Sequence, residues 1–407
     1  MTTAAEECVE KKESSAEESE ADLYLLDPDL EFIEDLSSHG GDTLKKCYQC
    51  ATCSATCPIS PDERPFPRKE MVWAMWGLKD RLVNDPDIWL CHQCNDCSAI
   101  CPRGENPGDI LAALRKYCYR HYAFPRFLGN MLYEPKFLPL VFGLPAVILL
   151  IVVGAFGNFY PEGEIIFKHF LPHPFPLDFL FVLASMFAAV SSVISGMNFW
   201  KGLQTGPRPP RSDAKGFVSG LIGAAKEILP HSQFKECEKA NPRYISHLLT
   251  FYGFLALFVT TTAVFLGLYL FHLETPLSLV HPVKILGNLG AFAFLVGTGM
   301  MLYLRIAQPD RAGRSNYNDW LFIGLMFGLA ASGVLSECLR LAGLAIPAYT
   351  IYFVHLVLVL SMMLYFPYSK FAHMLYRALA IIYYRGFAAV EMLDVVSENR
   401  EARSEGA

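Results

Sequence analysis

Twice in the first quarter of the chain an eleven-residue cysteine spacing recurs, as Cys47-x2-Cys50-x2-Cys53-x3-Cys57-Pro58 and Cys91-x2-Cys94-x2-Cys97-x3-Cys101-Pro102. Each iron of a cubane cluster takes a thiolate. Three cysteines two residues apart wrap a turn around one cluster, while the fourth, before proline, reaches across to the other. The spacing therefore assigns Cys47, Cys50, Cys53 and Cys101 to one 4Fe-4S cluster, and Cys91, Cys94, Cys97 and Cys57 to a second. Proline after the ligand fixes φ and turns the chain away from the site. Zinc would ask for paired Cys-x2-Cys knuckles with four ligands per metal, and disulfides for an oxidising compartment; the iron–sulfur reading is preferred over both. Cys8, Cys118, Cys237 and Cys338 are scattered without a ligand spacing and read as free thiols.

Composition divides the remainder. At 407 residues and 53% hydrophobic content the chain is long enough for two or more domains and too apolar for an ordinary soluble protein. Residues 1–36 are polar, with Glu6, Glu7, Glu10, Glu13, Glu17, Glu18 and Glu20 crowded together, and are expected to form an acidic disordered tail. That tail has neither a basic start nor an apolar stretch, so no secretory signal is expected. The cysteine domain, residues 37–122, then belongs in the reducing cytoplasm. Residues 123–380 hold six apolar segments, at 137–160, 177–200, 245–272, 282–306, 319–344 and 350–376, each long enough for a hydrocarbon core that needs about 20 helical residues. A buried soluble core supplies one or two such runs; six separated by polar loops are a membrane bundle. The fold expected is mainly α: a helical two-cluster domain fused to a six-span transmembrane bundle, with residues 381–407 as a C-terminal tail.

Loop charge gives an orientation. The connector after the second span carries Lys201, Arg208, Arg211, Lys215, Lys226, Lys235, Lys239 and Arg243, and the loop after the fourth carries Arg305, Arg311 and Arg314. By the positive-inside rule both are cytoplasmic. The opposite loops hold Glu162, Glu164 and Glu274 with Lys168 alone for balance. An even number of spans places both termini and the cluster domain on the cytoplasmic side of a cell inner membrane. Within the connector, Phe217, Val218, Leu221, Ile222, Ala225 and Leu229 share a helical face, which suits an interfacial helix or one packed on a partner subunit. Lipid is an expected partner and nucleic acid is not.

Electrons do not cross about 30 Å of hydrocarbon without a carrier, so histidines inside spans are candidate heme ligands. His355 and His373 are eighteen residues apart on the last segment, which on one straight helix gives five turns and about 27 Å along one face. His247 opens the third span on the cytoplasmic side and can face His373. For His355 the partner is open. His272 follows His247 by twenty-five residues, but its rise of about 37 Å would demand a tilt of about 40°. His281, His169 and His173 read as solvated loop histidines.

These residues resemble known families. The run HLVLVLSMMLYFPYSKFAH, His355 to His373, resembles the heme-binding helix of the gamma subunit of respiratory nitrate reductase, a quinol-binding diheme cytochrome b. The stretches KKCYQCATCSATCP and WLCHQCNDCSAICPRG resemble the C subunit of heterodisulfide reductase. The fusion of the two is similar to the C-subunit family of the quinone-interacting membrane-bound oxidoreductase complex of sulfate reducers. The resemblance covers residues 44–115 and roughly 177–378, leaving out the first span. It implies two b hemes with ligands on the third and sixth spans, menaquinone as substrate, cytoplasmic flavin/iron–sulfur partner subunits, and adenylylsulfate reductase as electron partner. His355 and His373 match its motif directly and His247 by role. Leu257 stands where the family has a further histidine.

The chain has no Cys-Cys pair and no Gly-x-Gly-x-x-Gly opening a nucleotide fold, so it carries no visible two-electron catalyst of its own. Gly297-Thr-Gly299 lies in a span and reads as a helix-packing site. Glu337 and Arg340, ionisable at membrane depth, are candidates for a quinone region, Glu337 as proton acceptor from quinol; an i,i+3 ion pair is the competing reading. The function expected is membrane electron transfer between quinone and soluble partners. The alternatives are the equivalent subunit of another heterodisulfide-reductase-like respiratory complex, or a redox-silent membrane anchor.

Overall fold

Long apolar runs become helices because a helix satisfies its own backbone polar groups where no water can. The computed structural model describes residues 26–62, 64–206, 214–237, 242–309 and 313–388. The glutamate-rich start with Cys8, the loop cations Arg208, Arg211, Lys239 and Arg311, and the chain past residue 388 lie outside the described residues. Among the described residues there are helices and connecting segments and no strand.

The cysteine domain is built from short helices: α1 (Leu30–Leu36), α2 (Thr52–Thr56), α3 (Arg68–Met75), α4 (Lys79–Val83), α5 (Asp87–Leu90), α6 (Asp96–Ala99), α7 (Pro107–His121) and α8 (Arg126–Tyr133). Its start corrects the tail boundary expected at residue 36. Asp29 caps α1, its Oδ1 accepting from Phe32 N at 2.8 Å, and Phe32 and Leu36 are buried, Phe32 edge-on to Tyr117 at 4.9 Å. A cap and two buried apolar anchors suffice to fold this segment onto α7. In the same domain three buried carboxylates, Glu70, Asp85 and Asp87, surround the Lys69 ammonium, which reaches them at 3.3, 2.7 and 2.6 Å. Burial pushes Glu70 up to about 8, with Lys69 opposing that rise.

Six helical stretches among the described residues are long and apolar enough to cross a membrane. They are α9 (Leu138–Phe156), α10 (Leu177–Thr205), then, after the connector helices α11 (Ala214–Ile228) and α12 (Ser232–Cys237), α13 (Pro242–Leu270), α14 (Pro282–Ala307), α15 (Tyr317–Leu341), and a last stretch in two pieces, α16 (Ala345–Tyr365) and α17 (Ala372–Tyr383). Large apolar side chains such as Ile151, Phe179, Val193 and Phe258 are exposed on the outer faces, as lipid-facing positions are. Small residues set the closest helix approach. A Cβ on Gly297 would lie 2.6 Å from Thr250 N, and one on Gly253 2.6 Å from Phe294 N, so α13 and α14 meet backbone to backbone where Gly297-Thr-Gly299 was expected to pack.

The last stretch departs from expectation in one respect that matters. α16 ends at Tyr365, a single 3-10 turn over Phe366–Tyr368 follows, and α17 begins at Ala372. Pro367 is the cause: it lacks an N–H and its ring crowds the preceding turn. His355 and His373 are therefore on two helices, and the one-face, five-turn relation between them does not hold. The bundle also runs further than the expected boundary at 380, since the chain stays helical to Ala388 and packs on α11 through Gly216, Gly220 and Gly386. α11 turns that glycine side inward while Phe217, Val218, Leu221, Ile222 and Leu229 remain exposed.

The two halves are joined by an aromatic plug. Trp89 of α5, 1% exposed, meets Phe199 of α10 at 5.7 Å and Tyr376 of α17 at 5.1 Å, and Tyr122 meets Phe199 at 5.3 Å. A buried ion pair at 3.4 Å ties Lys116 of α7 to Asp319 of α15, which Lys370 also reaches. Desolvated charges this close hold only when paired, so the contact fixes how the domains sit.

Candidate iron–sulfur and heme sites

The two cysteine loops fold alike. Gln49 and Ala51 in the first, and Gln93 and Asn95 in the second, take φ of 66°, 65°, 55° and 68°, a left-handed alternation that coils each loop so that backbone N–H groups face sulfur. Gln93 N donates to Cys91 Sγ at 3.2 Å. Helices α2 and α6 then carry the third cysteine of each run, and Cys57 ends α2 in an extended conformation ahead of Pro58.

Cys57, Cys91, Cys94 and Cys97 line one cavity, so the cysteine before proline in the first run joins the second run's three. Burial pushes the Cys53 and Cys57 thiols up to about 11, with Cys47 adding for the first and Cys91 and Cys94 for the second. Burial likewise raises Cys47, with Glu105, Cys101 and Cys50 adding to the rise. Cys47, Cys53 and Cys57 are thus desolvated thiols that resist ionising alone, and such donors suit a cation, because iron takes each as a thiolate and cancels the mutual repulsion. Both sets fit a 4Fe-4S cluster.

The second cluster loop is hydrogen-bonded to the bundle. Arg377 of α17 donates to Cys91 O at 3.3 Å and Leu90 O at 3.2 Å, and its guanidinium meets His92 Nε2 at 2.7 Å. Arg243 of α13 donates to Gln93 O at 3.2 Å. His92 stacks on Phe234 of α12 at 5.1 Å, and Phe234 stands edge-on to His247 at 5.5 Å. Burial, with Arg377 beside it, holds His92 well below its ordinary value, so the ring is neutral.

His247, in the second turn of α13, and His373, in the first of α17, come together as expected, with ring centroids 6.5 Å apart and planes at 76°. An ion about 2 Å from one nitrogen of each imidazole would hold the centroids about 6.3 Å apart. His247 Nδ1 is buried without a hydrogen-bond partner, and His373 Nδ1 donates to Lys370 O, leaving its Nε2 for a ligand. This pair fits a bis-histidine heme iron. His231 adds a third imidazole, 4.9 Å from His247.

His355 is placed between α15 and α16. Its Nδ1 meets Ser332 Oγ at 3.0 Å, and a Cβ on Gly333 would come within 3.0 Å of its ring. His272 is not brought to it: it lies past the end of α13, exposed, at φ 50°. Two of the outer loop histidines have local partners, His281 accepting from Val283 N at 3.3 Å and His173 meeting Asp178 at 2.8 Å. Glu337 is held by Arg340 at 2.9 Å and by Lys284 at 3.0 Å, so the i,i+3 pair is present and a second cation joins it.

His92, Phe234, Arg377, His231 and Cys237 were missed in the sequence because no spacing announces them. Cys237, read there as an ordinary thiol, lines the same cavity as Cys57, Cys91, Cys94 and Cys97.

Comparison with known proteins agrees with this division. The family described as "4Fe-4S dicluster domain" matches residues 43–104, and the family "Citrate utilization protein B" matches residues 136–391, all six spans included. Citrate utilization protein B of Escherichia coli is 27% identical over 293 residues, 67% of this chain and 73% of that protein. The C subunit of the H(2):CoB-CoM heterodisulfide,ferredoxin reductase of Methanothermobacter marburgensis is 40% identical over 63 residues, 15% of this chain and 34% of its own. A protein of Archaeoglobus profundus described as like the C subunit of heterodisulfide reductase is 32% identical over 94 residues, 23% of this chain and 48% of that one. No solved structure matches. The N-terminal likeness to the C subunit of heterodisulfide reductase, with six helices long and apolar enough to cross a membrane, points to a membrane electron-transfer subunit, and, with more than half its length matched, the chain belongs to the citrate utilization protein B family.

Proposed function

We propose that this protein carries electrons between a quinone in the membrane and soluble flavin/iron–sulfur partners, through b heme and two 4Fe-4S clusters on its cytoplasmic side. The observation that carries the reading is the facing of His247 and His373, with an orphaned Nδ1, directly behind the second cluster loop. When bound, heme and clusters supply one-electron steps. The chain's own residues hold the thiolates, fix the His373 tautomer through Lys370 O, and keep neutral His92 and Phe234 packed between the two sites. Cys57, Cys91, Cys94 and Cys97 then form the cluster next to the heme, and Cys47, Cys50, Cys53 and Cys101 the one further out. His355, with Nδ1 engaged by Ser332, is the candidate ligand of a second heme, and its partner is open.

Menaquinone is the proposed membrane substrate, with Glu337 its proton acceptor and Arg340 beside it. In the purified protein a reduced menaquinone analogue is expected to reduce heme and clusters. Glu337→Gln is expected to slow that reduction by at least tenfold with the heme spectrum unchanged. Unchanged rates would reduce Glu337 to an ion-pair partner of Lys284 and Arg340. Heme and clusters that no quinol reduces would leave a redox-silent anchor.

The likeness to the C subunit of heterodisulfide reductase favours sulfur-linked partners, adenylylsulfate reductase among them. The family match over residues 136–391 favours a second reading, in which the soluble partner serves citrate utilisation. Partner subunits that co-purify separate the two.

A further inference from the structure

We propose that Cys237 donates an S–H···S hydrogen bond to Cys94 and thereby raises the reduction potential of the second cluster above what its four ligands alone would set. The inference rests on the two-cluster reading above. A cubane takes four thiolates, and Cys57, Cys91, Cys94 and Cys97 supply them, yet five cysteines line the cavity. The fifth comes from the connector between the second and third spans, far from the motif in sequence.

Its placement is fixed by packing. Cys237 ends α12, and Phe234, three residues earlier on the same helical face, is buried and stacked on the ring of His92, the residue after Cys91. That stacking seats α12 on the cluster loop and brings Cys237 into the cavity that Cys94 lines.

The first cluster shows what the contact replaces. Cys50, the counterpart of Cys94, has the Thr52 hydroxyl 3.2 Å from its sulfur, and an iron-bound thiolate can only accept, so Thr52 is the donor. In the second run the residue at that position is Asp96, which has no alcohol hydroxyl to offer as Thr52 does. Cys237 brings a donor to the same sulfur from outside the motif. Hydrogen bonds to cluster sulfurs stabilise the more negative, reduced cluster and raise its potential. The span connector thus sets the driving force at the cluster nearest His247.

The test is a redox titration followed by electron paramagnetic resonance on the full-length protein in detergent, with labile sulfide counted in each variant. Cys237→Ala is expected to keep all labile sulfide and to move one of the two cluster potentials downward, the other staying in place. Cys237→Ser, which restores a donor, is expected to lie closer to the wild type. Unchanged potentials in Cys237→Ala would overturn the proposal. So would loss of about half the labile sulfide, which would make Cys237 a ligand rather than a donor. A wild-type protein with only one cluster would overturn the two-cluster reading itself, and the inference with it.

Discussion

Replacing His247 with alanine is expected to remove about one b heme per chain and to leave the iron–sulfur content unchanged. His373→Ala is expected to do the same, because a bis-histidine site that loses one imidazole loses its hold on the iron from one side. The argument is geometric. The two rings face each other at 6.5 Å from separate helices, and the buried Nδ1 of His247 has no other partner to compensate for its desolvation. His272→Ala is expected to change nothing, since that side chain is exposed beyond the end of α13. Absorbance of the reduced protein reads all three. Full heme content in both His247→Ala and His373→Ala would show that the pair is a packing contact.

The second large effect is crossed. Cys57→Ala is expected to cost the cluster otherwise built by the second cysteine run, and Cys101→Ala the one built by the first. Each would remove about half of the labile sulfide, about four atoms per chain. The reason is the cavity that Cys57 shares with Cys91, Cys94 and Cys97, into which its own run's neighbours Cys50 and Cys53 do not enter. Because that second loop is the one bonded to Arg377 and Arg243, Cys57→Ala should also interrupt exchange with heme, whereas Cys101→Ala should leave that exchange intact. Electron paramagnetic resonance of the surviving cluster distinguishes them; a Cys57→Ala protein that keeps the heme-coupled cluster while Cys101→Ala loses it would contradict the crossed ligation.

The parts of this protein that could be read from its residues are those whose determinants are local. Cluster ligands sit at fixed offsets because a short loop must wrap one cubane, and the spans are apolar runs of fixed length because a hydrocarbon layer has fixed thickness. The break at Pro367 was also written in the chain, and treating the last span as one straight helix overlooked what a proline does to the turn before it. The segment around Phe32 and Leu36 has four apolar residues, Leu30, Phe32, Ile33 and Leu36, among acidic ones, and of these Phe32 and Leu36 become buried only because α7 is there to receive them. Cys237, His92, Phe234 and Arg377 belong to three separate segments and acquire roles only when the cysteine domain docks through Trp89 on α10 and α17. Nothing in their spacing encodes that meeting.

The central claim, that one chain joins two iron–sulfur clusters to b heme, is tested most directly by counting protoheme as the pyridine hemochrome, together with iron and acid-labile sulfide, on the purified wild-type protein. The account predicts about eight labile sulfides per chain with one to two protohemes, the first held by His247 and His373. About eight sulfides with no protoheme would contradict it, leaving a membrane-anchored cluster protein whose facing histidines bind no iron.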